Sequence, residues 1–146
     1  MLGREEIQQI IPHRPPFLLL DQVLELELGK RARGLYLVDP AGPWFRGHFP
    51  GNPIFPGVLQ VEALAQLGAV AILSQAEMRG KLALFAGLNN VKFRRLVQPG
   101  ETLEMEVEII RSRQSFGVGR GRATVDGQLA VEAELKFALM DTSPTG

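Results

Sequence analysis

The chain has 146 residues, with sixteen basic and sixteen acidic side chains and a formal net charge of zero, so no bulk electrostatic pull toward nucleic acid or a membrane surface is expected. It has no cysteine and two histidines, which excludes a disulfide framework, a thiolate nucleophile and a cysteine-based metal centre, and leaves too few soft ligands for a transition-metal site. The length suits one domain, residues 1–146, able to bury most of its apolar surface.

The chain opens Met1-Leu2-Gly3-Arg4-Glu5-Glu6 with no apolar stretch behind it. No secretory signal is predicted, and the expected location is cytoplasmic. Residues 3–11 can form a short helix, with Glu5 and Glu6 in its first turn, where negative charge suits the dipole. Pro12 ends it. His13-Arg14-Pro15-Pro16 is a loop. Its histidine reads as structural or exposed, and Arg14 as an anchor. Residues 17–28 read as a strand, with alternation clearest over 23–28. Gly29-Lys30 turns the chain, and residues 31–38 return as a second strand.

Residues 39–56, DPAGPWFRGHFPGNPIFP, hold five of the ten prolines. Proline fixes φ and removes a donor, and glycine permits positive φ. The segment is therefore neither helix nor strand. Yet it carries Trp44, Phe45, Phe49, Ile54 and Phe55, so it should be an ordered, buried loop with His48 in its middle.

The apolar run that follows, from Gly57 to about Met78, is too long for a strand and reads as a helix. Between Val58 and Leu73 only Gln60, Glu62 and Gln66 are polar. Such a helix is buried on all sides. It is too short and carries Glu62 too near its start to be a membrane span. A carboxylate inside it needs a partner, a proton or a cavity. An internal ion pair with an arginine and a catalytic acid are equally compatible with the helix alone. His48, fourteen residues upstream between two rigid elements, raises the second reading.

Met78 to Leu82 leaves the helix, with Gly80 as a C-cap. The rest is strand-like: residues 83–94, a Pro99-Gly100 turn, 102–113, 115–125, an Asp126-Gly127 hairpin turn and an alternating run from Leu129 to Leu139. Residues 141–146 read as a frayed tail. One long buried helix and about six antiparallel strands make an α+β domain in which a twisted sheet wraps the helix. Gly117-Val118-Gly119-Arg120-Gly121 lacks the helix of a dinucleotide fingerprint. Glycine at every second position instead bares one strand face for close approach of the helix or another backbone. The absence of a Gly-x-Ser-x-Gly elbow speaks against a serine hydrolase.

Two blocks, Gly47-His48-Phe49-Pro50-Gly51-Asn52-Pro53-Ile54-Phe55-Pro56-Gly57-Val58 and Glu62-Ala63-Leu64-Ala65-Gln66, together resemble the FabZ-type 3-hydroxyacyl-(acyl-carrier-protein) dehydratases. Residues 11–21, Val91-Lys92-Phe93-Arg94-Arg95 and Pro99-Gly100-Glu101 match as well, so the resemblance spans nearly the whole chain in order. Sister FabA-type enzymes have Asp at the position of Glu62. The resemblance implies the hot-dog fold, a sheet curled round a central helix. It further implies homodimers with shared active sites, joined as a trimer of dimers, and dehydration of (3R)-3-hydroxyacyl chains on acyl carrier protein to trans-2-enoyl thioesters in fatty-acid synthesis, without a cofactor. It assigns His48, Glu62 and Gly57 to the site. Basic residues near the tunnel mouth meet the acidic carrier in this family, a role that falls to Lys92, Arg94 and Arg95.

Residue chemistry suits these roles. Dehydration needs a base for the C2 proton, an acid for the departing C3 hydroxyl and donors for the thioester carbonyl. Imidazole titrates near neutrality, which suits His48 as base. Burial of a carboxyl favours its protonated form, which suits Glu62 as acid. The helix start at Gly57 and Val58 offers unpaired N–H groups at the positive end of a dipole. Phe49 is placed beside the substrate. Gln66 lies one turn beyond Glu62 on the same face and is in reach of it. Some positions depart from the family pattern: Ala41-Gly42 stands where Asn-Glu is common, Leu96 replaces a proline, and Gln60 replaces an aliphatic residue. These bear on loop support and tunnel shape, hence on chain-length preference. A hot-dog thioesterase, with the helix carboxylate activating water, and a non-catalytic acyl-thioester-binding module are the alternatives on the same fold.

Overall fold

A computed structural model describes residues 1–142; residues 143–146, the end of the expected tail, lie outside the described residues. Six strands form one antiparallel sheet: β1 (Gln22–Glu27), β2 (Arg31–Leu37), β3 (Leu82–Phe93), β4 (Thr102–Ser112), β5 (Phe116–Val125) and β6 (Gln128–Met140), in the order β1-β2-β4-β5-β6-β3. Two helices, α1 (Arg4–Ile10) and α2 (Gly57–Leu73), complete the frame. The strand patterning has the expected physical outcome. On β4, Leu103, Met105 and Val107 are buried while the intervening Glu104, Glu106 and Glu108 are exposed. The β5–β6 turn puts Asp126 and Gly127 at φ 50° and 79°, the left-handed pair that a two-residue hairpin demands.

Helix α2 lies in the curve of the sheet, and from Val61 to Leu73 every residue except Glu62 is buried. This is the hot-dog arrangement. The bare face of β5 is what lets the helix in: a Cβ on Gly117 would lie 2.8 Å from Ile72 Cδ1, and one on Gly121 would lie 3.4 Å from Leu64 Cβ. Gly68 of α2 returns the accommodation, meeting the Phe137 ring of β6.

Three expectations are corrected. Within the segment expected to be neither helix nor strand, Pro43–Arg46 forms a short 3-10 turn, which proline at its first position permits. Helix α2 ends at Leu73, not near Met78, so it is about 25 Å long. Its last carbonyls are taken by other groups: Ser74 Oγ and Gly29 N–H donate to Ala71 O, and Gln75 Nε2 donates to Ile72 O. A short 3-10 turn, Ala76–Met78, follows, and Gly80, at φ 83°, serves the turn beyond it rather than the helix. The first strand begins at Gln22, not Phe17. Upstream, backbone groups that a strand would use are taken by side chains: Gln66 engages Phe17 O and Leu19 N–H, and Arg4 engages Leu18 O.

Strand β3 is an edge of the sheet, and Leu84, Phe85, Leu88 and Phe93 on it are exposed. No helix among the described residues is long and apolar enough to cross a membrane.

Candidate active site

The proline-rich loop was expected to be buried, but of its residues only Phe55 is; Trp44 and Phe45 are half-buried and Phe49 is exposed, because the loop runs over the surface and is held there by an aromatic cluster. Phe55 is fully buried and meets Tyr36, Trp44 and Phe45 at ring-centroid distances of 5.9, 5.8 and 6.4 Å. Its N–H donates to Val97 O at 2.7 Å, tying the loop to the β3–β4 connection. Gly42 belongs to the same packing: a Cβ there would sit 2.7 Å from the Trp44 indole. The departure at Gly42 from the resembled pattern thus makes room for the Trp44 ring. Burial, with Asp21 nearby, pushes the Tyr36 hydroxyl up to about 12.

His48 sits in this stiffened loop with its own backbone bonded on both sides, N–H to Trp44 O at 3.1 Å and O from Ile54 N–H at 3.0 Å. Its Nδ1 is 2.9 Å from Ile54 O. A carbonyl oxygen only accepts, so Nδ1 carries a hydrogen, and in the neutral imidazole Nε2 is then the bare nitrogen. Phe49 stacks on the ring at 4.0 Å. The cavity beside them, about 410 Å³, is lined by Ile54, Phe55, Gly57, Val58, Phe93 and Leu96, with Gln60 and Arg95 as its polar members. The space above Gly57 is filled by the Phe93 ring, which a Cβ would strike at 2.7 Å. Gln60 is buried and donates to Phe55 O at 3.3 Å.

Glu62 lies on the other side of α2's first turns and lines a separate cavity of about 190 Å³ with His13, Phe17, Ala65, Phe85 and Phe137. Gln66 Nε2 donates to Glu62 Oε2 at 2.9 Å and to Phe17 O at 2.8 Å, while Gln66 Oε1 accepts from Leu19 N–H at 2.7 Å. These partners settle which end of the amide is nitrogen. The expected contact between Gln66 and Glu62 is therefore present. The arginine partner of the alternative, ion-pair reading of Glu62 is not found among the described residues. In its place stands His13, with Nε2 3.5 Å from Glu62 Oε2.

His13 is the residue that sequence reasoning set aside. Its signal was the rigid setting, a proline-flanked loop like that of His48. Arg14 anchors that loop as expected, donating from Nη1 to Ile11 O and His13 O and from Nη2 to Gln8 O at the end of α1. Within one chain His48 and Glu62 line different cavities.

The basic cluster divides. Lys92 belongs to a broad concavity of about 480 Å³ on the outer sheet face, where Glu106, Glu108, Arg120, Arg122, Glu132 and Glu134 alternate in sign across strands. Arg94 pairs with Glu132 at 3.0 Å and Arg95 with Glu101 at 3.0 Å. Burial opposes ionisation of Glu101, but hydrogen bonds from Gln98 N–H and Arg95 outweigh it and hold the carboxyl below its ordinary value. Concavity size does not locate the chemistry here, since the outer groove is larger than the cavities of His48 and Glu62 and is filled with compensating charge.

A stiffened histidine loop feeding a buried helix with a carboxyl near its start, inside a curled sheet, defines a hot-dog protein of the FabA-like class. The FabA-like domain model matches residues 11–134, and the chain belongs to that family. It is 56% identical over 141 residues to the 3-hydroxyacyl-(acyl-carrier-protein) dehydratase FabZ of Thermomicrobium roseum, covering 97% of this chain and 95% of the relative. The proteins of the same name from Chloroflexus aggregans and Bacillus subtilis are 58% identical over 141 residues and 55% identical over 139, covering 97% and 95% of this chain and 98% and 99% of theirs. Among solved structures, the dehydratase heterocomplex ApeI:P from Xenorhabdus doucetiae superposes with a TM-score of 0.77 at 19% identity, covering 99% of this chain and 94% of that one; this likeness is one of fold.

Proposed function

We propose that the chain dehydrates (3R)-3-hydroxyacyl thioesters carried on acyl carrier protein to trans-2-enoyl thioesters in fatty-acid synthesis, a reading supported by relatives named 3-hydroxyacyl-(acyl-carrier-protein) dehydratase. The observation that carries the reading is the opposite preparation of two side chains. His48 has Nδ1 spent on Ile54 O and Nε2 bare, the form of a base. Glu62 has Oε2 held by Gln66 and faces a cavity, the form of a positioned acid. His48 Nε2 takes the C2 proton, the C2=C3 bond forms, and the C3–O bond breaks as Glu62 gives its proton to the leaving hydroxyl. Water departs, and return of the proton from the imidazolium to the carboxylate restores the site. The thioester carbonyl, on which negative charge builds, lies at the start of α2. There Pro56 offers no side-chain cap, so the N–H groups of Gly57 and Val58 are available as donors.

The site is shared in a two-fold homodimer, and dimers join as a trimer of dimers. Two features support the sharing. His48 and Glu62 occupy different cavities of one chain, and both cavities border the edge strand β3, through Leu84 and Phe85 in one and Phe93 in the other. An exposed apolar edge is a strand that native proteins cover. A second copy along β3 covers it and joins each cavity to its neighbour's. Lys92, Arg94 and Arg95 serve the carrier, and the enzyme works in the cytoplasm.

One assay tests the reaction. Given a 3-hydroxyacyl thioester, the protein should form the conjugated enoyl thioester with no free thiol. Rapid thiol release without enoyl absorbance would make it a thioesterase, and binding without turnover on any chain length would make it a carrier of acyl thioesters.

A further inference from the structure

The His13 ring makes one polar contact among the described residues, and it is with Glu62. Its Nε2 lies 3.5 Å from Glu62 Oε2, and it lines the same cavity. Its Nδ1 is buried with no hydrogen-bond partner. A histidine kept for structure usually spends one ring nitrogen on a backbone group, as His48 does on Ile54 O. His13 spends neither that way. The ring is nevertheless held in place: Phe17 stacks on it with an interplanar angle of 14°, and Arg14 clamps the loop that carries it.

We propose that His13 is a positioning residue for Glu62, an inference that rests on the dehydratase reading above. Gln66 already donates to Oε2 at 2.9 Å. An N–H on His13 Nε2 approaches the same oxygen. An oxygen receiving two N–H groups is a poor place for a proton, so the acid's proton sits on Oε1, the oxygen left to meet the substrate's hydroxyl. The separation of 3.5 Å is long for a hydrogen bond, and such contacts in unliganded sites often shorten once substrate is bound.

The test uses the full chain and two variants. His13→Phe keeps a ring against Phe17 and removes the donor. His13→Gln places an amide N–H near the position of Nε2. His13→Phe should lower kcat roughly tenfold, about what one charge-assisted hydrogen bond supplies, with KM and Tm near wild type. His13→Gln should recover most of it. In a Glu62→Gln background, His13→Phe should cost no further activity, because the ring acts through that carboxyl. Unchanged kcat in His13→Phe, a loss that Gln does not recover, or an equal loss in the Glu62→Gln background would overturn the proposal. A substrate-free measurement separates it from the reaction itself. The ring nitrogen resonances of His13 should move on Glu62→Gln, and the Glu62 carboxyl carbon should move on His13→Phe. No movement in either would overturn the pairing. Coupled resonances in a chain that does not dehydrate would support the pairing and sink the dehydratase reading instead.

Discussion

Glu62 stands alone in α2: its neighbours from Val61 to Leu73 are buried, while its carboxyl reaches a cavity and the Gln66 amide. Glu62→Gln preserves the shape and still offers an oxygen to Gln66 Nε2. The variant should melt near wild type and lose most dehydration, measured as enoyl formation. Were Glu62 an ion-pair partner only, removing it would cost stability and leave the folded fraction active. Gly42 makes a second residue-level point. A Cβ there meets the Trp44 indole at 2.7 Å, so Gly42→Ala should lower stability by about 1–3 kcal/mol through overpacking. Denaturant unfolding reads the loss, and Trp44→Phe, which shortens the ring, should recover part of it.

Between elements, the decisive contact is α2 on the glycine face of β5. Gly117→Val would drive a branched side chain into Ile72 Cδ1, 2.8 Å from where a Cβ would stand. It should destabilise by about 1–3 kcal/mol, and Ile72→Ala in the same chain should offset part of that in a double-mutant cycle. The β3–β4 connection has an acid-sensitive tie. Glu101 accepts from Arg95 and from Gln98 N–H, and its own backbone bonds Val38. Its carboxyl is held below the ordinary 4.5, so the folded chain keeps the charge where the unfolded chain takes up a proton. The stabilisation is full above pH 4.5 and is lost as pH falls through the depressed folded value. Glu101→Gln should flatten that acid limb in a plot of stability against pH. An unchanged limb would place the acid sensitivity elsewhere.

At the scale of the molecule, the proposed two-fold dimer rests on the exposed apolar residues of β3 and the separation of His48 from Glu62. Two variants, His48→Ala and Glu62→Ala, each expected to be inactive alone, test it by subunit exchange. A shared site gives each mixed dimer one site with both defects and one with neither. Free exchange of equal amounts then restores roughly a quarter of wild-type activity, an estimate resting on two-fold symmetry. Full exchange with no recovery would place both residues of a working site in one chain.

Local chemistry was enough for much of this. The run of apolar residues around α2, the period-two alternation of β4 and β6, the Asp126-Gly127 turn and the glycines of β5 each follow from constraints acting within a few residues. So does the stiffness of the loop around His48, since proline and glycine act on their own backbone. What local chemistry did not decide was which distant groups would claim a backbone or a side chain. The first strand starts late because Gln66 and Arg4 take the groups around 17–19. Helix α2 stops early because Ser74, Gln75 and the turn at Gly29 take its last carbonyls. Glu62 found a histidine rather than an arginine, because packing of α1 and its following loop against α2 brings His13 across forty-nine positions of chain. Periodicity reports which face of an element is buried. Only the closed sheet, with the helix seated in it, determines what that face meets.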